Sequence, residues 1–312
     1  MRINYNILWV ENELDWLESI EDEIKDFVEE QGFCFVCDVA NGKSEIAGYN
    51  KYDIILMDLN LASEPTGDEI IQEIRNSNIY TDVVLYSAQD ISITRSKGKD
   101  KELDGVYYSG RNPDLFLNKV KRVIATTIRK TQDLANIRGL VMAEVSELDV
   151  MMAEILAIFM KSDENLQKFH DKVTSDREKM IHKWLEHPDC KKDCKLSIRK
   201  ATAEDVISKL EASQKARGVN LVLKELRSRG TPLYISPNGK GFMENYETDI
   251  IHMRNNLAHC KSVDTEEDGK EILKTIKGDV VFSAENFIGI RKSIVEYRNL
   301  LTKTLEYLSP QD

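Results

Sequence analysis

The sequence predicts a chain that is α/β and then all-α: a doubly wound parallel-sheet domain followed by an α-helical bundle. Three observations carry this. Short apolar runs of strand length alternate with amphipathic stretches through roughly the first hundred residues, the pattern of a parallel sheet with crossover helices. From Pro113 to Phe159 apolar residues recur at helical spacing, with Gly139 as the only glycine and no further proline. The length of 312 residues is that of two ordinary domains.

The elements follow in order. Asn6 to Val10 is an apolar run of strand length, and Leu14 to Glu29 reads as a helix with Leu17, Ile20, Ile24 and Phe27 on one stripe. Phe33 to Val39 is the second strand, and Lys43 to Gly48 is a short helix at most. Tyr52 to Met57 is a buried strand, uninterrupted from Ile54 to Met57. Thr66 to Ser77 is a helix, Asp82 to Tyr86 the fourth strand and Val106 to Tyr108 the fifth. Ser92 to Asp104, polar and lysine-rich, reads as a solvated surface segment. Pro113 suits a helix start, and one long helix or two nearly continuous ones follow it. Further helices are expected over Glu164–Glu186, Thr202–Ala216, Tyr246–Cys260 and Ala284–Leu308, with Leu221 to Gly241 as loop or hairpin. The domains expected are 1–125 for the sheet, 126–145 for a connecting helix and 146–312 for the bundle.

Composition narrows the function classes. The formal net charge is -11, so the chain repels nucleic acid at long range and any RNA contact needs a local basic patch or pocket. No apolar run is long enough to span a bilayer, and no secretory stretch opens the chain, so a cytoplasmic location without membrane contact is expected. Five cysteines do not suggest a disulfide framework. Cys34 and Cys37 have redox or zinc spacing, but on a strand they face opposite ways and read as buried thiols. His187, Cys190 and Cys194, with His182 upstream, are a weak zinc candidate. Lys191, Lys192, Lys195, Arg199 and Lys200 form one basic patch, and Arg227 and Arg229 another; either could guide RNA, and both read first as solvated faces.

Two constellations carry chemistry. At the ends of the predicted strands stand Glu11 and Asn12, Asp58, Ser87 and, beyond the fifth strand, Arg111. In an open parallel sheet these strand ends are where ligands bind. The order and spacing resemble the response-regulator receiver family over about the first hundred and twenty residues. The resemblance implies a phosphoacceptor at Asp58, magnesium held by Glu11 and Asp58, a phosphate-sensing hydroxyl at Ser87, and a histidine kinase or other signalling partner in a phosphorelay. Asn12 stands where receivers carry a second acid, and Arg111 near where they carry a lysine. Phosphorylation at Asp58 and a pseudo-receiver therefore both remain open.

The second constellation is Arg254-Asn255-Asn256-Leu257-Ala258-His259. On a helix, Ile250, Met253 and Leu257 make an apolar stripe, with His252, Asn255, Asn256 and His259 on the other side. Asn255 and His259 are four apart and can meet. Arg254 and His259 lie about 140° apart around the axis, so a cleft between two copies would bring them to one phosphate. The Arg-x4-His string with Asn after the Arg resembles the HEPN superfamily, although Lys261 stands where an aromatic is frequent. The resemblance implies a homodimeric, metal-independent endoribonuclease acting in stress response or phage defence, with no cofactor for cleavage. Arg254 would hold the scissile phosphate, and His259, oriented by Asn255, would move the proton. The rival reading is a non-catalytic dimerisation or partner-binding protein with a pseudo-receiver. A DNA-binding regulator would need a helix-turn-helix with a basic recognition helix, and none is found.

Overall fold

The computed structural model describes residues 3–62, 64–131, 134–174, 203–208, 210–259, 261–264, 271–275 and 278–309. The zinc candidate formed by His182, His187, Cys190 and Cys194 lies outside the described residues, as does the basic patch Lys191 to Lys200. The chain divides into two compact units, residues 1–137 with 284–291 and residues 138–283 with 292–312.

In the first unit five strands, β1 (Asn4–Val10), β2 (Cys34–Ala40), β3 (Ile54–Asp58), β4 (Asp82–Ser87) and β5 (Val106–Gly110), form one sheet. Their order is β2-β1-β3-β4-β5 and every pairing is parallel. This is the flavodoxin-like doubly wound order, whose ligands sit at the carboxyl ends of the strands. Its helices are α1 (Leu14–Glu18), α2 (Glu21–Glu30), α3 (Gly67–Asn76), α4 (Ile91–Asp100) and α5 (Pro113–Thr131). The period of two splits β1 between two cores. Tyr5, Ile7 and Trp9 join Ile24, Phe116 and Val120, while Leu8 and Val10 join Met57, Ile70 and Ile74 on the other face.

The predicted Leu14–Glu29 helix is two helices, broken at Ser19 and Ile20, yet Leu17, Ile20 and Ile24 are buried as the stripe requires. The segment read as solvated surface after Ser92 is instead α4. The Asp90 carboxylate caps it by accepting the Ser92 N–H at 2.8 Å. Its buried face consists of Thr94 and Gly98, which no apolar pattern reveals. At Gly98 a Cβ would stand 2.0 Å from the Tyr108 hydroxyl, so a larger residue would have to displace that ring. Cys34 and Cys37 are half-buried rather than buried, since β2 is an edge strand. Burial, then the charges of Glu21 and Asp38, push the Cys37 thiol up to about 12. Arg291 is fully buried in this unit. Its Nε donates to the Gln31 carbonyl at 2.9 Å, its guanidinium lies 4.4 Å from the Phe33 ring centre, and burial pushes it down to about 10.

The second unit takes most of α6 (Leu134–Phe159), then α7 (Asp163–Phe169) running into a π turn (His170–Thr174), α8 (Ala203–Ile207) and α9 (Ala212–Ser228). A nearly continuous helical stretch follows: α10 (Phe242–Tyr246), a π turn (Glu247–His252) and α11 (Met253–His259). The last helix is α12 (Ala284–Leu308). The predicted helix over Thr202–Ala216 is interrupted before Ala212, and Leu221–Ser228 is helix rather than loop. Buried Leu221, Val222, Leu223 and Leu226 hold that extension against the unit's core. A three-stranded antiparallel sheet, β6 (Lys261–Asp264), β7 (Glu271–Thr275) and β8 (Gly278–Phe282), is an addition to this otherwise helical part among the described residues. α9 passes close to α6 and α7 at Gly218, where a Cβ would meet Phe169 at 2.6 Å and Leu156 at 2.7 Å. Among the described residues no helix is long and apolar enough to cross a membrane.

Candidate functional site

The sheet brings the predicted strand-end residues of the first unit together. Val10 pairs with Met57, so Glu11 follows β1 beside Asp58 at the end of β3. Asp58 pairs with Tyr86, and Ser87 with Gly110, which puts Ser87 and Arg111 on the same edge. Glu11 is fully buried and Asp58 is 3% exposed. A carboxyl taken out of water beside a second carboxylate is harder to ionise. Burial first, then the charge of Glu11, push Asp58 up to about 6, against its backbone bonds from Asn60 and Leu59 and the charge of Arg111.

Glu11 is the most heavily engaged group in the pocket. Its Oε1 accepts the Glu13 N–H at 2.8 Å. Its Oε2 accepts the Tyr86 hydroxyl at 2.9 Å and Arg111 Nη2 at 3.1 Å. The Tyr86 hydroxyl in turn accepts from Trp9 Nε1 at 2.8 Å, which completes a buried relay. Burial and the Glu11 charge hold that phenol well above its ordinary range, so it remains a donor. Arg111 also reaches Glu13 at 2.8 Å and lies over the Trp16 ring at 5.1 Å. The guanidinium is thus clamped by two carboxylates and an aromatic face, and its Nε is buried without a partner. Ser87 Oγ accepts from Asn60 Nδ2 at 2.9 Å and from the Gln89 N–H at 3.1 Å.

The residues fit magnesium only in part. Glu11 already accepts three hydrogen bonds, which leaves Asp58 and the neighbouring Asn12, whose Oδ1 is buried without a hydrogen-bond partner. One carboxylate and one amide oxygen are within what magnesium accepts when phosphate and water complete its shell. Among the described residues no three His, Cys, Asp or Glu side chains gather as a ready-made metal site. Trp9 and Glu13 lie in the first-strand stretch that the sequence marks as pocket, whereas Tyr86 and Asn60 were not legible as pocket residues. The hydroxyl-bearing Tyr86, just before Ser87 in an otherwise apolar strand, was the one available signal.

In the second unit α11 carries Arg254 and Asn255, and His259 ends it. Ile250 and Leu257 are buried and Met253 is half-buried, as the stripe predicts, while His252 and Asn255 are exposed. The His259 side chain, and with it the expected Asn255–His259 pairing, lies outside the described residues. Arg254 is half-buried, and its Nε has no hydrogen-bond partner among the described residues. Burial raises the Asp149 carboxyl on α6, against the charges of Lys215 and Arg254. Tyr246 is raised by burial and by Asp149, against Arg254. Asp149 Oδ1 and the Tyr246 hydroxyl are likewise buried without partners. A cation, an acid and a phenol that act on one another are thus held short of full hydrogen bonding.

No protein-family model and no curated protein matches the chain. Solved structures similar to its N-terminal part include the receiver domain of a Francisella response regulator, 21% identical, covering 41% of this chain and 99% of that one with a TM-score of 0.32. A CheY-like receiver domain protein from Methanospirillum hungatei is 15% identical, covering 41% and 98%, with a TM-score of 0.32. A two-component response regulator from Clostridium difficile is 23% identical, covering 39% and 97%, with a TM-score of 0.31. The doubly wound architecture of the first unit stands on the strand order and register described above.

Proposed function

We propose that this chain is a signalling protein in which a receiver-type domain, with Asp58 as phosphoacceptor, controls a helical effector that cleaves RNA. The observation that carries the receiving half is the burial of Asp58 at the end of β3, with Ser87 and Arg111 on the same sheet edge. A phosphoryl group on Asp58 would meet a hydroxyl and a cation, the two groups that sense added charge. Magnesium, which would neutralise the phosphoryl oxygens during transfer, would be held by Asp58 and Asn12. The test is labelling by a small phosphodonor with magnesium. Wild type should take up phosphate and Asp58→Asn should not.

For the effector, the support is a single helix carrying Arg254, Asn255 and His259, on which a half-buried guanidinium supplies the cation. Arg254 would hold the scissile phosphate. His259 would accept the 2′-hydroxyl proton or deliver one to the leaving oxygen, giving a cyclic phosphate end. Two copies would share the cleft, since the groups diverge on one helix. Cleavage in excess EDTA by wild type but not by His259→Ala, with the dimer intact, is the expected result.

One observation favours a second reading, the non-catalytic signalling protein with a pseudo-receiver. Arg111 is already engaged by Glu11 and Glu13, so the cation that a phosphoryl group would need is occupied. Failure of Asp58 to label under conditions that label an ordinary receiver, with no cleavage in EDTA, would favour it.

A further inference from the structure

The second unit holds a groove that neither constellation uses. Asn220, Lys224 and Arg227 recur at four and three residues along α9, so they share one face of the helix. With Tyr234, Ser236 and Lys240 they line a cavity of about 160 Å³. The opposite wall is the loop between α9 and α10, and it is tied down. Buried Asn245 donates to the Tyr234 hydroxyl at 2.7 Å and exchanges amide bonds with Asn238 at 3.0 and 3.1 Å. The Lys240 N–H donates to Asn238 Oδ1 at 3.1 Å. The Tyr234 ring meets Phe242 edge-on at 5.6 Å, and Phe242 stacks on Tyr246 at 5.5 Å.

The charge of this groove is uncompensated. Lys224 and Arg227 have no acidic partner among the described residues. Lys240 pairs only with Glu244, at 3.1 Å, and both side chains are more than half exposed, so that pair is weak. Glu225, the acid next to Lys224, is taken up by Lys168 at 3.3 Å and Arg229 at 3.1 Å. Three cations therefore converge on one small cavity in a chain whose net charge is -11. The cavity is smaller than the roughly 300–1,000 Å³ that encloses a whole small ligand. Cations along a shallow groove beside an aromatic ring suit a strand that passes through and leaves one unit in place.

We propose that this groove binds the sugar-phosphate backbone of single-stranded RNA, with Lys224, Arg227 and Lys240 on the phosphates and a base against Tyr234. The choice of RNA rests on the ribonuclease reading above; the phosphate chemistry does not. Binding is measured in the His259→Ala background, by anisotropy of a short fluorescein-labelled oligouridylate, so that no cleavage intervenes. The expected result is binding that weakens with salt at a log–log slope of about -2, from three contacts at about 0.7 each. The triple variant Lys224→Gln/Arg227→Gln/Lys240→Gln should bind at least roughly tenfold more weakly with a nearly flat slope, and Tyr234→Ala roughly fivefold or more. Thermal melting confirms that the variants fold. Undiminished binding by the folded triple variant would overturn the proposal, as would no binding by the groove-intact protein. Competition by uridine monophosphate as effective as by the oligomer would assign the groove to a free nucleotide and overturn the strand. Cleavage by wild type is assayed separately, so loss of the ribonuclease reading and loss of this groove give different results.

Discussion

At the scale of single residues, Asp58 and Arg111 define what the first unit can do. Asp58 sits at about 6 in the folded chain, above the ordinary carboxylate value near 3.9. The folded state therefore binds more protons than the unfolded chain between about pH 4 and pH 6, and stability falls as pH rises through that window. Above it the buried charge carries its full cost; below about pH 4 both states are protonated and the cost is gone. Asp58→Asn should accordingly stabilise the protein at neutral pH by about 1–3 kcal/mol, after allowance for screening, and by almost nothing at pH 4. Urea unfolding of both proteins at the two pH values checks this. Arg111 acts in the opposite sense. Arg111→Ala strands Glu11 among Tyr86, Trp9 and Asp58, and a loss of about 3 kcal/mol is expected. The same variant should move Asp58 further up, because it removes a charge that lowers it, and NMR titration of the carboxyl reads that shift.

At the scale of elements, close approach decides where side chains are tolerated. α3 begins at Gly67, where a Cβ would stand 2.1 Å from the Asp58 carbonyl oxygen. The helix is stapled there by the Thr66 N–H, which donates to the Glu69 carboxylate at 3.0 Å. Gly67→Ala should thus disturb the acceptor strand itself and cost about 2–3 kcal/mol. Gly218→Ala should do the same to the packing of α9 on α6 and α7. Gly139, in α6 and exposed, has nothing within 4 Å of an added Cβ. Gly139→Ala should therefore stabilise its helix by about 0.5–1 kcal/mol. Denaturant midpoints of the three variants separate the cases, and a destabilising Gly139→Ala would contradict this account.

At the scale of the whole molecule, the net charge of -11 sets the terms for any RNA encounter. Long-range attraction is absent, so association depends on a few short-range contacts and weakens only modestly with salt. The ribonuclease reading requires two helices at one phosphate. Sedimentation should therefore report twice the 35.8 kDa chain mass at concentrations where cleavage occurs. A strictly monomeric protein that still cleaves RNA would sink the shared-cleft account. Cleavage should also survive excess EDTA, while phosphate transfer to Asp58 should not.

The amino-acid order made the sheet legible because its strands are continuous apolar runs: Ile54–Met57 and Val83–Leu85 admit no other burial. Once the strands were placed, Glu11, Asp58, Ser87 and Arg111 followed, since strand ends in a parallel sheet converge. α12 was legible from its periodicity alone. α4 was not, because its buried face is Thr94 and Gly98, and neither carries an apolar signal. The extension of α9 was masked by the turn residues that follow it. The Trp9–Tyr86–Glu11 relay pairs residues 75 to 77 positions apart, and the groove at Lys224, Arg227 and Lys240 is closed by an amide pair across a loop. Local sequence sets period and propensity. Which polar groups meet is set by the packing of distant segments, where each buried donor must find an acceptor or remain unpaired.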